Sequence, residues 1–483
     1  MSTQAAAGDR YKTLAANTAL ISFGTLGSKL MVFFMVRFYT GYMSPADYGT
    51  ADIITQTANL LVPLVSFGMA EAVFRFAAGR PGERREVFTA GILCTAAGLA
   101  LLTAFLPLLR RTELIGCHGL LLTVYVAASC LHSMCAQYVR ALGDTPGYTL
   151  QGLINTALVI GFNILLLAVF RLGMTGYVLS VAAADTGCSL WLIVRKRLWN
   201  ELTIHIGKPL FIRLISYSVP LIPTSVFWWI TGVSDRYMIS GFLGSAANGI
   251  YAVSGKIPTM LTILSTVFMD AWQLSAVLDA DSGRTALRQF YSHVWAVFQA
   301  AVFVCASCMI AASRAGIRLL ADAEYFEAWR CVPVLTLAMV CSALSSFLGS
   351  VYVVTYASRM AFRTAMAGAV MNIALNLLLI PSPAGIQGAA AATFISCLAV
   401  FLIRAVSVRR LISFDLCPLR CGAALLIIAA QAVFMVLQLP LQYAVQASAL
   451  AAILYINRVP LRQCMDKLAG YIAPRGKHLK NRR

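Results

Sequence analysis

Charge is what this sequence has least of. Charged residues make up 12% of its 483 residues, about half the roughly 25% usual in soluble domains. Only 19 residues are acidic. So little polar material cannot cover a globule of this length, which excludes a soluble fold. Histidine is scarcer still, at five, and no His/Cys cluster has metal-ligand spacing. Cys305 and Cys308 have a CxxC spacing but fall within an apolar run. Most of the 13 cysteines, such as Cys94, Cys130 and Cys397, lie in similar runs and read as small apolar helix residues. No metal and no cofactor is expected. Long polar stretches are also missing. The longest internal one, 195–213, is too short for an appended catalytic domain. The N-terminus is polar from Ser2 to Asp9 and has no apolar core with a cleavage site, so no signal peptide is expected.

What the sequence does have is apolar runs. Hydrophobic residues reach 59%, with a mean hydropathy of +0.77. The runs exceed about 18 residues and are apolar all round, the pattern of membrane helices rather than barrel strands. The expected fold is an all-α polytopic membrane protein with about 14 transmembrane helices. The spans are placed near 13–38, 48–74, 87–109, 119–139, 147–170, 174–194, 214–240, 249–275, 289–313, 329–356, 364–382, 386–408, 418–438 and 441–457. A net charge of +19 can signal nucleic acid, but no basic soluble module is present, so no nucleic-acid partner is expected. With the N-terminus inside, most Lys and Arg fall in cytoplasmic loops, including 75–85, 195–213, 359–363 and 404–420. Both termini are therefore expected in the cytoplasm. The basic tail, 458–483, reads as a segment drawn to anionic lipid.

The few charges inside the spans are the first candidates for function, because each costs about 2.5–3.5 kcal/mol on insertion scales and usually faces a bundle interior or wet cavity. The cations are Lys29, Arg37, Arg236 and Lys256; the acids are Asp52, Glu71, Asp185, Asp235 and Asp270. A weak internal repeat links two of the regions. Arg37 precedes Gly49-Thr50-Ala51 at nearly the same separation as Arg236 precedes Gly249-Ile250-Tyr251-Ala252. The copies lie an even number of spans apart, as in parallel transporter repeats.

The same segments carry a resemblance. AANTALISFGTLGSKLMVFFMVRFYTGYMSPADYGTAD, LLVPLVSFGMAEAVFRFA, SDRYMISGFLGSAANGIYAVSGKI and FMDAWQ follow one another in the order and spacing of the multidrug/oligosaccharidyl-lipid/polysaccharide (MOP) exporter superfamily. Over roughly 12–457 the chain resembles its polysaccharide repeat-unit flippases. The resemblance implies two six-helix lobes in a V around a central cavity, 13–197 and 198–413, with extra spans 13 and 14 in 414–457 and the tail beyond. It also implies a bacterial cytoplasmic membrane and alternating access. The implied substrate is an undecaprenyl-diphosphate-linked oligosaccharide carried from the cytoplasmic to the outer leaflet. A polymerase and glycosyltransferases would be partners beside the membrane lipids. The protein would not be an enzyme.

The chemistry fits such a substrate. Lys29, Arg37, Arg236 and Lys256, on spans 1, 7 and 8, offer cations for a diphosphate, Arg through a bidentate fork and Lys as a point charge. Snorkelling is the alternative for Lys256, Arg37 and Arg236. Among the acids, Asp185 in AAADTGCS is the best ion-coupling candidate. Asp52, Asp235 and Asp270 are candidates for coupling or charge pairing, and Glu71 can pair with Arg75 at i, i+4. His132 and His293 can titrate. Asn17, Gln56, Asn59, Asn155, Asn163, Asn372 and Asn376 suit either sugar contact or helix–helix bonds of about 0.6 kcal/mol. Pro220 and Pro223 suggest a hinge, and Pro63 and Pro258 free further carbonyls. Trp228, Trp229 and Trp272 suit sugar stacking or interface anchoring. A lipid II flippase and a multidrug antiporter of the same fold are the nearest alternatives, though an antiporter for cationic drugs needs acidic cavities. From other classes, a membrane-embedded glycosyltransferase or ligase needs larger outer loops, and a scaffold has no reason to bear buried charge.

Overall fold

A computed structural model describes residues 27–109, 116–278, 284–355, 357–412 and 414–463. All secondary structure among these residues is helical. That follows from composition: in hydrocarbon every backbone N–H and C=O needs an internal partner, and a helix supplies it within one segment. Serine and threonine in the spans add to this by donating to carbonyls one turn back, as Thr57 Oγ1 does to Ile53 O at 2.7 Å and Ser180 Oγ to Gly176 O at 2.7 Å.

The helices are α1 (27–42), α2 (Pro45–Val65), α3 (Met69–Gly79), α4 (Arg84–Leu109), α5 (Gly119–Ala141), α6 (Thr145–Asn163), α7 (Gly173–Lys196), α8 (Lys208–Ser218), α9 (Leu221–Leu243), α10 (Ser245–Ser254), α11 (Lys256–Leu278), α12 (Arg284–Ala311), α13 (Ser313–Leu320), α14 (Val332–Val354), α15 (Ser358–Leu379), α16 (Gly385–Arg409), α17 (Pro418–Val436) and α18 (Gln442–Ile456). Ten are long and apolar enough to cross a membrane, or up to 12 if each of two bent pairs counts as one span. The expected fourteen are thus not all recovered among the described residues. The expected first span lies partly outside them, and α18, at 15 residues, is short for a crossing.

One expected span is broken rather than straight. The run 48–74 forms α2 and α3, bent by 50°. Pro63 lacks an N–H, and the left-handed turn at Phe67 and Gly68 ends the helix, with Gly68 N returning to Pro63 O at 2.8 Å. Similarly, α8 stops at Ser218 and Pro220 caps α9, so the segment placed at 214–240 is two helices.

The chain forms two compact units. Unit 1 comprises residues 1–253 with the short segment Leu320–Tyr325; unit 2 comprises Ser254–Leu319 and 326–483. Helices α8 and α9, assigned to the second lobe in the six-and-six reading, pack within unit 1 here. Unit 1 holds a core around Met69, Val73, Phe88, Met134 and Tyr138, and a second around Ile54, Leu122 and Tyr125. Unit 2 has one large core built on Trp295, Phe298, Phe303 and Phe347. Phe34, Leu378 and Leu426 point outward at 69%, 71% and 73% exposure, a cost in water but not against lipid tails.

Candidate functional site

In unit 1 the two copies of the internal repeat pack on each other. A Cβ on Gly49 would lie 1.9 Å from Ser245 O, and one on Gly249 would lie 2.0 Å from Pro45 O. The contact is reciprocal: each glycine meets the carbonyl four residues before the other. Only residues without side chains allow the N-terminal turns of α2 and α10 to touch backbone to backbone. This places the charged residues around the repeat in one polar seam.

Arg236 on α9 pairs with Asp52 on α2. Asn248, fully buried, donates to Gly49 O at 2.9 Å and to the second oxygen of Asp52 at 3.5 Å. Among the described residues Asp235 forms no ion pair. Its Oδ2 accepts from Tyr251 Oη at 2.7 Å, and its Oδ1 from the Arg236 backbone N–H at 2.9 Å. One turn further along α2, the hydroxyls of Thr57 and Tyr237 share a hydrogen bond of 2.6 Å, and Trp229 Nε1 donates to Gln56 O at 2.7 Å. The seam holds one cation and two carboxyls: the guanidinium has its carboxylate, and the extra acid is held by donors.

Arg37 belongs to a different arrangement. It pairs with Asp322 at 3.6 Å and donates to Ala321 O. Asp322 N donates to Thr40 Oγ1 at 3.1 Å, and Tyr325 Oη to Met43 O at 2.8 Å. Segment 320–325 is thereby fastened along α1, and Tyr325 packs edge-on against Tyr48. Burial pushes the Tyr325 hydroxyl far above the usual phenol value, so it stays a donor.

A third cluster surrounds Asp185 on α7, which is 7% exposed. Asn155 Nδ2 donates to its Oδ1 at 2.7 Å and Ser129 Oγ to its Oδ2 at 2.5 Å. His132 Nδ1 lies 3.4 Å from Asp185 Oδ1, while His132 Nε2 meets Gln151 Oε1 at 2.7 Å. His132 thus bridges Gln151 and Asp185 through its two ring nitrogens.

Lys29 is exposed on α1, and Lys256 is half-buried as the first residue of α11. Neither has an ion pair among the described residues. Glu71 lies in the first turn of α3, where a carboxylate suits the helix dipole, and forms no ion pair with Arg75. The side chains of Asp270, Trp228 and Trp272 lie outside the described residues, as does Asn17. No group of three or more potential metal ligands occurs among the described residues.

Sequence reasoning passed over two residues that the structure brings forward. Asn248 completes the Asp52 seam, and only its place beside Gly249 in the repeat marked it. Arg404, counted as a cytoplasmic loop cation, is instead inside α16, with Nε on Thr364 Oγ1 at 3.1 Å and Nη1 on Ser345 O at 2.8 Å.

Residues 14–272, more than half of the chain, match the family described as Polysaccharide biosynthesis protein. The chain belongs to that family. Among solved structures, the chain is similar to the lipid II flippase MurJ in an inward closed conformation, at a TM-score of 0.69 and 14% identity, over 93% of this chain and 100% of that one. It is also similar to a mutant of the Vibrio cholerae MATE transporter VcmN, at 0.55 and 13%, over 83% and 97%. A MOP superfamily transporter from Pyrococcus furiosus matches at 0.53 and 11%, over 82% and 95%. At these identities the likeness is one of fold. No curated protein matches the sequence significantly. The chain's fold is the one these solved structures share.

Proposed function

We propose that the chain is a flippase that moves a polyprenyl-diphosphate-linked oligosaccharide from the cytoplasmic to the outer leaflet of a bacterial cytoplasmic membrane, by alternating access, with both termini in the cytoplasm. Membership in a polysaccharide biosynthesis family carries this reading, and the likeness to a lipid II flippase supports it. The substrate has an anionic diphosphate, and Lys29 and Lys256 are membrane cations with no ion pair among the described residues. In this proposal each, within its own unit, is a candidate contact for the diphosphate. Arg37 and Arg236 contribute less, because Asp322 and Asp52 already divide their charge. Substituting both Lys29 and Lys256 with Ala abolishes flipping in this scheme while leaving membrane insertion intact.

The Asp185 cluster is proposed as the coupling site. Its carboxylate, buried among Ser129, His132 and Asn155, suits one proton or small cation. Asp185→Asn then makes transport insensitive to the ion gradient; unchanged gradient dependence rejects the role. Lipid II is the second reading, favoured by the MurJ likeness over the full length of that chain. Leaflet-resolved assays in proteoliposomes, with lipid II and a neutral-sugar polyprenyl diphosphate side by side, separate the two.

A further inference from the structure

Between Arg330 and Asp415 the chain has no acidic residue, yet it contains Arg359, Arg363, Arg404, Arg409 and Arg410. In unit 2 the antiparallel pair α15 and α16 gathers all five at one end. Arg359 and Arg363 occupy the first two turns of α15, and Arg404, Arg409 and Arg410 the last two turns and C-cap of α16. The Arg404–Thr364 hydrogen bond fixes this register. Orientation signalling explains exposed cations at a helix end. It does not explain Arg404, which is half-buried and whose bonds go to neutral oxygens of Thr364 and Ser345. Gly349 makes room for it, since a Cβ there would lie 2.9 Å from Nη1. Two of its five N–H donors are used, and no carboxylate pairs with it among the described residues. Beside it, Ser345 is 4% exposed and its hydroxyl has no partner. Cations in the first turns of α15 also oppose the helix dipole, and Ala357 offers no side-chain cap.

We propose that this end of α15 and α16 is a phosphate site, with Arg404 as its fixed fork, and that it takes the headgroup of a polyprenyl diphosphate. The assignment of the lipid rests on the flippase reading above; the phosphate chemistry rests on the arginines. In the orientation proposed, this end faces the cytoplasm, where the substrate is made.

The full chain in phosphatidylcholine nanodiscs tests it by titration with undecaprenyl diphosphate, inorganic diphosphate or phosphatidylglycerol, read as a shift in melting temperature. Arg404→Gln is expected to weaken undecaprenyl diphosphate by about tenfold or more, the loss of a bidentate charge-assisted contact. Arg404→Lys, keeping charge without the fork, is expected to fall between. A double Arg359→Gln, Arg363→Gln variant leaves the bonds of Arg404 to Thr364 and Ser345 in place and is expected to weaken binding several-fold; it serves if Arg404→Gln does not fold. Arg458→Gln controls for net charge and is expected to bind as the wild type. Equal affinity across all these variants overturns the site. Phosphatidylglycerol competing as well as undecaprenyl diphosphate overturns the substrate-headgroup assignment. Binding needs no transport, so the two readings fail separately. Arg404-dependent binding without flipping counts against the flippase, and flipping with Arg404-independent binding counts against this site.

Discussion

The two units treat membrane charge in opposite ways. In unit 1, Arg236 meets Asp52, Arg37 meets Asp322, and Asp235 and Asp185 are held by hydroxyl and amide donors. In unit 2, Arg404 rests on a threonine hydroxyl and a backbone carbonyl. A paired charge is bound to the fold: removing one partner leaves the other uncompensated. A charge held by neutral groups keeps its field available to a ligand. The contrast separates charges that build the protein from charges free to act on something else, a distinction that their positions along the spans do not reveal.

The comparison can be broken most forcefully at Asp52. Asp52→Ala strands the Arg236 guanidinium, and a loss of about 3–5 kcal/mol is expected. Joint replacement by Asp52→Asn and Arg236→Gln is expected to recover most of it in thermal unfolding. A single variant as stable as the wild type would show that the seam is not charge-compensated. Next comes the glycine contact. Gly49→Leu pushes against the Ser245 carbonyl and is expected to cost about 3 kcal/mol, at the top of the overpacking range, whereas Gly41→Ala, with nothing within 4 Å of its Cβ, is expected to change stability by less than about 0.5 kcal/mol. Equal melting temperatures would remove the backbone-contact argument.

A smaller effect is expected at Asp144, outside the spans. It caps α6 through Gly147 N at 2.9 Å and pairs with Lys196 at 2.6 Å. The Lys196 hydrogen bond first, and the Gly147 N–H after it, hold its carboxyl below the usual range. A depressed folded-state pKa stabilises the ionised form. The contribution is therefore full above the ordinary carboxylate pKa, about 3.9, and fades as pH falls through the lower folded value. Asp144→Ala is expected to cost about 1 kcal/mol at neutral pH and to flatten the loss of stability below about pH 4. The smallest change belongs to Asp322→Asn. Its pair with Arg37 is about half exposed and worth at most about 1 kcal/mol, so a larger shift in melting temperature would reveal tighter fastening of segment 320–325.

Much of the helical plan was legible in hydropathy alone, because a bilayer leaves the backbone no alternative to the helix. The breaks were less legible. Pro63 was visible, but the 50° bend also needed the left-handed pair Phe67 and Gly68, and a hydropathy window averages across such a turn. Asp185 was found by the cost of its charge; its partners Asn155, Ser129 and His132 come from other helices, at separations no local pattern encodes. Arg404 was misread because it lies close to the cations at the end of α16, Arg409 and Arg410.

By itself, then, the sequence determined that this chain lives in a membrane as helices, and that a handful of charges would be expensive there. It did so because transfer to hydrocarbon is a property of each segment alone. Which of those charges are neutralised was decided only by tertiary structure. Coulomb energy depends on distances of a few ångströms between side chains, and those are set where Gly49 meets Gly249 and where α15 lies against α16.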